Sequence, residues 1–185
     1  MSKKASGVFE NLRLVYSSYG GLNALVRSEY FWVALIVTTL CSRFALEYSW
    51  ASYTLSIMPS LAGFSVAAFA IYFSVIDPEM QKALKKPSID LNNRSPLLVI
   101  ASSVVHAVFV QIIAMLYAFV FLAKPAQLFL EIIPTTMKAS IPSILITWLP
   151  VFSSFLGLFL SIYGMILVVA ATLSMFRVVD IKSKI

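Results

Sequence analysis

The chain has 185 residues, of which 60% are hydrophobic and 12% charged, and its mean hydropathy is +0.91. Soluble domains are about 45–50% apolar and about 25% charged, so this composition predicts an all-α integral membrane protein. The net charge of +6 comes from basic residues that flank the apolar stretches, which argues against direct nucleic-acid binding. The single cysteine, Cys41, excludes an intramolecular disulfide.

Residues 1–29 are predicted to form a cytoplasmic amphipathic segment. Apolar residues recur at helical spacing from Phe9 to Tyr19, and Lys3, Lys4 and Arg13 would lie near anionic lipids of the inner leaflet. A helix with such an apolar face either lies on the membrane surface or packs on the cytoplasmic end of a helix bundle. The sequence leaves both alternatives open.

Residues 30–176 are predicted to form the transmembrane domain. A spanning helix needs about 20 mainly apolar residues, and four stretches qualify: 30–48, 53–76, 97–122 and 148–174. The first carries Arg43 and Glu47 near its end, which we interpret as an interfacial ion pair. The fourth stretch is long, so either the helix tilts or residues 144–148 lie at the interface and the span begins near Pro150.

The connecting segments carry helix-boundary signals. In the loop 77–96, Asp77 and Pro78 predict the start of a short helix, and Ser95 with Pro96 predicts a capped start of the third span. The outer loop 123–147 is apolar but contains several prolines, so it is expected to lie in the outer headgroup region and not to span. Residues 177–185 are predicted to be a cytoplasmic tail.

The distribution of Lys and Arg predicts the orientation. With four spans, eleven of the fourteen basic residues fall on one side, in the N-terminal segment, the loop 77–96 and the tail. Positive residues stay inside, so both termini are predicted to be cytoplasmic in a multi-pass protein of the cell inner membrane. Lys82, Lys85, Lys86 and Arg94 are the candidate contacts to a partner or to lipid.

Small residues recur at helical spacing on the second and fourth spans. Such a stripe lets another helix approach closely, within a bundle or between subunits, and the spacing does not say which. We therefore predict a homo-oligomer or a tightly packed bundle. The helix-packing residues are Ser56, Ser60, Gly63, Ala67, Ala70 and Ser74 on the second span and Gly157, Ser161 and Gly164 on the fourth.

His106 and Gln111 form a possible intramembrane polar site on the third span. An ionisable residue within a span is a functional-site hypothesis, here a proton-linked switch. The alternative is a neutral histidine that is hydrogen-bonded to Ser102, Ser103 or a neighbouring helix. Gln111 is predicted to bridge helices in the same way.

Signatures of enzymes are weak. Residues 63–66 (GFSV) resemble the start of the motif of rhomboid-type proteases, which pair its serine with a histidine, here Ser65 with His106. However, Val66 replaces the second glycine, that family needs six spans, and no oxyanion donor can be named. The sequence also lacks phosphate-loop and zinc motifs. We predict no enzymatic activity, no catalytic or metal site, and no cofactor.

Residues 28–32 (SEYFW) and 59–65 (PSLAGFS), with the basic amphipathic N-terminus, resemble the small four-span inner-membrane proteins encoded beside bacterial anti-phage defence genes, such as the membrane subunits of Kiwa systems. The resemblance implies a homo-oligomeric platform that engages a cytosolic protein partner. The expected function is therefore a non-enzymatic membrane anchor or sensor subunit. The alternative is an oligomeric pore or channel.

Overall fold

A computed structural model describes residues 7–19, 21–87, 95–125 and 143–182. Every regular element within these ranges is an α-helix, which confirms the all-α prediction for this part of the chain. The helices are α1 Val8–Tyr19, α2 Gly21–Arg27, α3 Glu29–Leu40, α4 Ser42–Leu46, α5 Trp50–Val75, α6 Pro78–Lys85, α7 Pro96–Ala123 and α8 Ser143–Lys182.

Three segments of the described chain are long and apolar enough to cross a membrane: Trp50–Ser74, Pro96–Ala123 and Thr147–Phe176. They begin and end within three residues of the second, third and fourth predicted spans. Helix α8 continues without interruption from Ser143 through Pro150 to Lys182. The residues predicted to be a tail, 177–185, therefore begin as the last turns of this helix, because nothing in their sequence breaks it.

The first predicted span, 30–48, is broken in the structure. Helix α3 has 12 residues, about 18 Å at 1.5 Å per residue, and the backbone leaves the helical path at Cys41 before the short α4. The chain then turns at Tyr48, whose φ of 58° is left-handed. Arg43 and Glu47 form the expected exposed pair, with Nε 2.6 Å from Oε1.

Helices α3 and α4 nevertheless follow α8 over much of its length. Tyr30, at the start of α3, lines the same cavity as Ala170, whereas the carbonyl of Ala45 in α4 accepts a hydrogen bond from Ser154. These two levels of α8 are sixteen residues, about 24 Å, apart along the helix. The broken helix therefore runs antiparallel to α8 over about 24 Å, somewhat less than the roughly 30 Å of a bilayer core.

Helix α1 packs against α7. The ring of Tyr16 meets that of His106 edge to face, with the centroids 5.6 Å apart. This contact favours packing on the bundle over a position on the membrane surface, but at the level of His106, ten residues into α7, and not at the end of the bundle as predicted. Burial raises the pKa of the Tyr16 phenol, so this group stays protonated.

The two predicted helix caps have different outcomes. The carboxylate of Asp77 accepts a hydrogen bond from the Met80 amide at 2.8 Å, which confirms the predicted start of α6. The prediction that the Ser95 side chain caps α7 is wrong. Its hydroxyl instead donates to the carbonyl of Leu84 at 2.8 Å, because the end of α6 lies beside the start of α7.

Several predictions fall on residues outside the described ranges. They concern Lys3 and Lys4 as lipid contacts, Arg94 as a partner contact, most of the outer loop 123–147 and the end of the tail, 183–185. Within that loop the structure describes Lys124, which ends α7 in a left-handed conformation with φ 48°.

Candidate functional site

The small residues of α8 lie inside the bundle. Ser154, Gly157, Ser161 and Gly164 are all buried. A Cβ atom added to Gly157 would collide with the indole ring of Trp50, and one added to Gly164 would lie 3.2 Å from Cε of Met58 and 3.3 Å from Cγ of Gln111. Helix α5 and helix α7 therefore approach the backbone of α8 closely at these positions.

Buried hydroxyls connect α8 to the start of α5. Trp50 donates through Nε1 to Oγ of Ser154 at 2.8 Å, and that hydroxyl donates onward to the Ala45 carbonyl at 2.7 Å. One turn further along α5, Oγ1 of Thr54 lies 2.7 Å from Oγ of Ser161. These bonds fix the register of α4, α5 and α8 in the apolar interior.

His106 and Gln111 also contact α8. Nε2 of His106 lies 3.4 Å from the Tyr163 hydroxyl, and Nε2 of Gln111 donates to the Gly164 carbonyl at 3.2 Å. Both side chains are almost fully buried. The neighbouring-helix alternative therefore describes His106, whereas the Ser102 and Ser103 hydroxyls bond to the Val99 carbonyl. The structure thus places both polar residues at helix–helix contacts.

Ser65 and His106 have different neighbours. The Ser65 hydroxyl donates to the Leu61 carbonyl of its own helix at 2.8 Å, while His106 lies against Tyr16 and Tyr163. A serine nucleophile needs its base within hydrogen-bond reach. These contacts give the protease-like motif no support.

The small residues of α5 lie on the outside of the bundle. Ser56, Ser60, Gly63, Ala67, Ala70 and Ser74 are all exposed, and a Cβ atom added to Gly63 would meet nothing within 4 Å. In the most apolar part of α5, 17% of the residues are buried inside the bundle, against 44% in the corresponding part of α7 and 39% in that of α8. Packing of this stripe inside the monomer is therefore wrong, and packing between subunits stays a prediction.

Lys82 and Lys85 of α6, with Lys86 directly after its last residue, form an exposed basic surface. Lys82, Lys85 and Lys86 are exposed, whereas Leu84 is buried against Ile100 of α7. The Ser95–Leu84 hydrogen bond holds the same end of α6. The basic surface, defined by these three lysines, is thus carried on a helix that is fixed to the bundle.

The residues of α5 that pack against the small residues of α8 were not predicted from the sequence. Trp50 and Thr54 are four residues apart, and Ser154 and Ser161 are seven apart, so each pair shares one helix face. This spacing could have identified two polar faces. It could not have shown that they meet, since that depends on how α5 and α8 are arranged.

Within the described residues, no three His, Cys, Asp or Glu side chains are grouped as they would be around a metal ion. Comparisons with protein-family models, with curated proteins and with solved structures found no match. The fold and the contacts define a helical bundle with membrane-spanning character. The candidate functional features described above are its exposed surfaces and the buried polar contacts of His106 and Gln111.

Proposed function

We propose that the protein is a membrane anchor or sensor subunit without enzymatic activity, which self-associates and recruits a cytosolic protein through the basic surface on α6. The observation that carries this proposal is the contrast within α6. One side is buried on α7 through Leu84, and the other presents three lysines to the surroundings. A charged surface on a fixed helix can dock a partner without a large ordering cost.

The proposed topology has four crossings, with both termini inside the cell. Helices α3 and α4 together supply the first crossing, and the 24 Å over which they follow α8 supports it. The bias of Lys and Arg toward the N-terminus, the loop 77–96 and the tail supports the orientation. On this topology α6 faces the cytosol, while α1 lies against α7 at the level of His106, ten residues into that helix.

A role in anti-phage defence is proposed from the resemblance of residues 28–32 and 59–65. Under this proposal the partner is a cytosolic subunit of the same system. The bundle would hold that subunit at the inner membrane, where phage infection is sensed.

The docking proposal is tested by changing Lys82, Lys85 and Lys86 together to Gln. The variant and the wild type are purified in mild detergent from the native host, and recovered proteins are quantified by mass spectrometry. We expect recovery of a stoichiometric soluble partner to fall about tenfold, equivalent to about 1.4 kcal/mol of binding free energy. The matched control, Arg43→Gln with Lys124→Gln, removes exposed cations at the opposite end and should leave recovery unchanged.

Anionic lipid is the competing explanation for the same lysines, at about 1 kcal/mol per residue near the surface. The comparison is therefore repeated in nanodiscs made only of zwitterionic lipid, with membrane insertion checked first. A loss of partner that persists there supports docking. Unchanged recovery in an inserted triple variant would show that the lysines serve topology and lipid contact alone.

Self-association is proposed to use the exposed small-residue stripe of α5. Gly63→Leu should force apart helices that meet there and shift the oligomer toward monomer, as measured by mass photometry. Because an added Cβ at Gly63 meets nothing within 4 Å in the described part of the chain, the folded monomer should tolerate the leucine. Ala68→Leu, an exposed change off the stripe, is the control. An unchanged oligomer in both variants would place the stripe against lipid.

The second candidate function is a pore between subunits. It is favoured by three exposed hydroxyl residues, Ser52, Ser56 and Ser60, which lie one turn apart on α5 and could line a lumen. Ion flux from liposomes that contain the purified protein tests it. Flux that Ser56→Leu abolishes would support the pore, whereas tight liposomes with partner recovery intact would support the anchor.

A further inference from the structure

A cleft of about 510 Å³ opens between the last turns of α7 and the part of α8 that follows Leu149. Its walls are apolar and aromatic, and the Tyr117 hydroxyl bonds to Oγ of Ser153 at its base, at 2.7 Å. Its volume falls in the range of about 300–1,000 Å³ that is typical of ligand pockets. Its lining includes Tyr48, Val120, Lys124, Phe152 and Leu156.

The cleft has a polar end and an apolar end. Lys124 follows the last residue of α7, so it lies where a spanning helix reaches the headgroup layer. Tyr48 lines the same end. Leu156 lies six residues beyond Pro150, about 9 Å further along α8 toward the hydrocarbon. This polarity matches the length axis of a phospholipid.

The cleft carries a positive charge at one end. Among the described residues that line it, Lys124 is the one charged residue and none is a carboxylate. The apolar walls include Val120 and Phe152, which are 58% and 71% exposed and so are not covered by the described part of the chain. An apolar groove that ends at a cation is complementary to an acyl chain that ends at an anionic headgroup.

We propose that this cleft binds one anionic phospholipid, with an acyl chain between α7 and α8 and the phosphate paired with Nζ of Lys124. The site lies at the opposite end of the bundle from the basic surface on α6. It does not depend on the anchor or pore proposal, since it needs only that the helices lie in a bilayer.

The test is native mass spectrometry of the protein released from nanodiscs that hold equal amounts of phosphatidylglycerol and phosphatidylcholine with the same acyl chains. We expect one tightly retained lipid, with phosphatidylglycerol favoured about fivefold, which corresponds to about 1 kcal/mol for one cation at the surface. Lys124→Gln should remove the preference, and Lys124→Arg should retain it. Equal retention of the two lipids by the wild type, or a preference that survives in Lys124→Gln, would overturn the proposal.

A second variant tests the acyl-chain part of the site. Leu156→Trp should fill the cleft and reduce retention of both lipids, whereas Leu116→Trp, at an exposed position of α7 outside the cleft, should not. Lys124 is exposed, so its variants remain decisive even where the tryptophan disturbs folding. A change of oligomeric mass in Leu156→Trp with lipid retention unaltered would show instead that a second copy covers the cleft, and would also overturn the proposal.

Discussion

Replacing Gly157 by Ala should destabilise the bundle more than any comparable change on its surface. The new methyl group would occupy space held by the Trp50 ring, with three ring atoms closer than real Cβ contacts allow. Trp50 cannot move aside freely. It is only 1% exposed, and its indole N–H is bonded to Ser154 at 2.8 Å.

The magnitude follows from three contributions. Overpacking of a well-filled interior costs about 1–3 kcal/mol. Loss of the Trp50–Ser154 hydrogen bond adds about 0.6 kcal/mol, the average for such bonds within membranes. The higher helix propensity of Ala returns about 0.8–1.0 kcal/mol. The last two nearly cancel, so the free energy of unfolding should fall by about 1–3 kcal/mol.

The assay is equilibrium unfolding in mixed micelles of a mild detergent and dodecyl sulfate. Gly63→Ala is the matched control, because its Cβ would meet nothing within 4 Å, and it should be neutral or slightly stabilising. In a Trp50→Leu background, where the ring is gone, Gly157→Ala should lose its cost. A Gly157→Ala protein as stable as Gly63→Ala would refute the close approach of α5 and α8 at this position.

Three further outcomes are expected. With Cys41 replaced by Ser, cysteines at Lys86 and Lys124 should be labelled from opposite sides of the membrane by an impermeant maleimide; labelling of both from the cytosol would contradict the four-crossing topology. His106→Gln keeps hydrogen-bonding capacity but cannot titrate, so partner recovery at about pH 6 and about pH 8 should match the wild type; recovery that changes with pH in the wild type but not in the variant would indicate a proton-linked role. Gln111→Met should change the unfolding free energy by less than about 1 kcal/mol, since one interhelical hydrogen bond is lost and volume is kept; a larger loss in the same micelle titration would show that this bond carries more of the stability.

The long apolar helices were predictable because hydropathy measures directly what a bilayer requires. The starts of α5 and α7 differ from the predicted spans by three residues and one residue. The break at Cys41 was not predictable, since neither proline nor glycine lies there and the left-handed turn falls on Tyr48. Such a break depends on how α4 seats against α8 through Ala45 and Ser154, which is tertiary information.

Local polar signals were informative only where the partner is local. Asp77 caps α6 because its acceptor reaches an amide three residues away, and the sequence contains both groups. Ser95 occupies the equivalent position at the start of α7, but its hydroxyl donates to the carbonyl of Leu84, eleven residues earlier. This hydrogen bond forms because α6 packs against α7. A cap motif in the sequence therefore predicts where a helix begins better than it predicts which hydrogen bond the capping side chain forms.

The two small-residue stripes show the same limit most clearly. On α8 the stripe is filled by Trp50, Met58 and Gln111, and on α5 an equivalent pattern is bare. In water, exposing an apolar face would be unfavourable, so burial alone would distinguish the stripe on α8 from the stripe on α5. In a bilayer, lipid is as apolar as a neighbouring helix, so packing and not hydrophobicity selects the contact. The exposed stripe of α5 is therefore the surface on which the proposed self-association is to be tested.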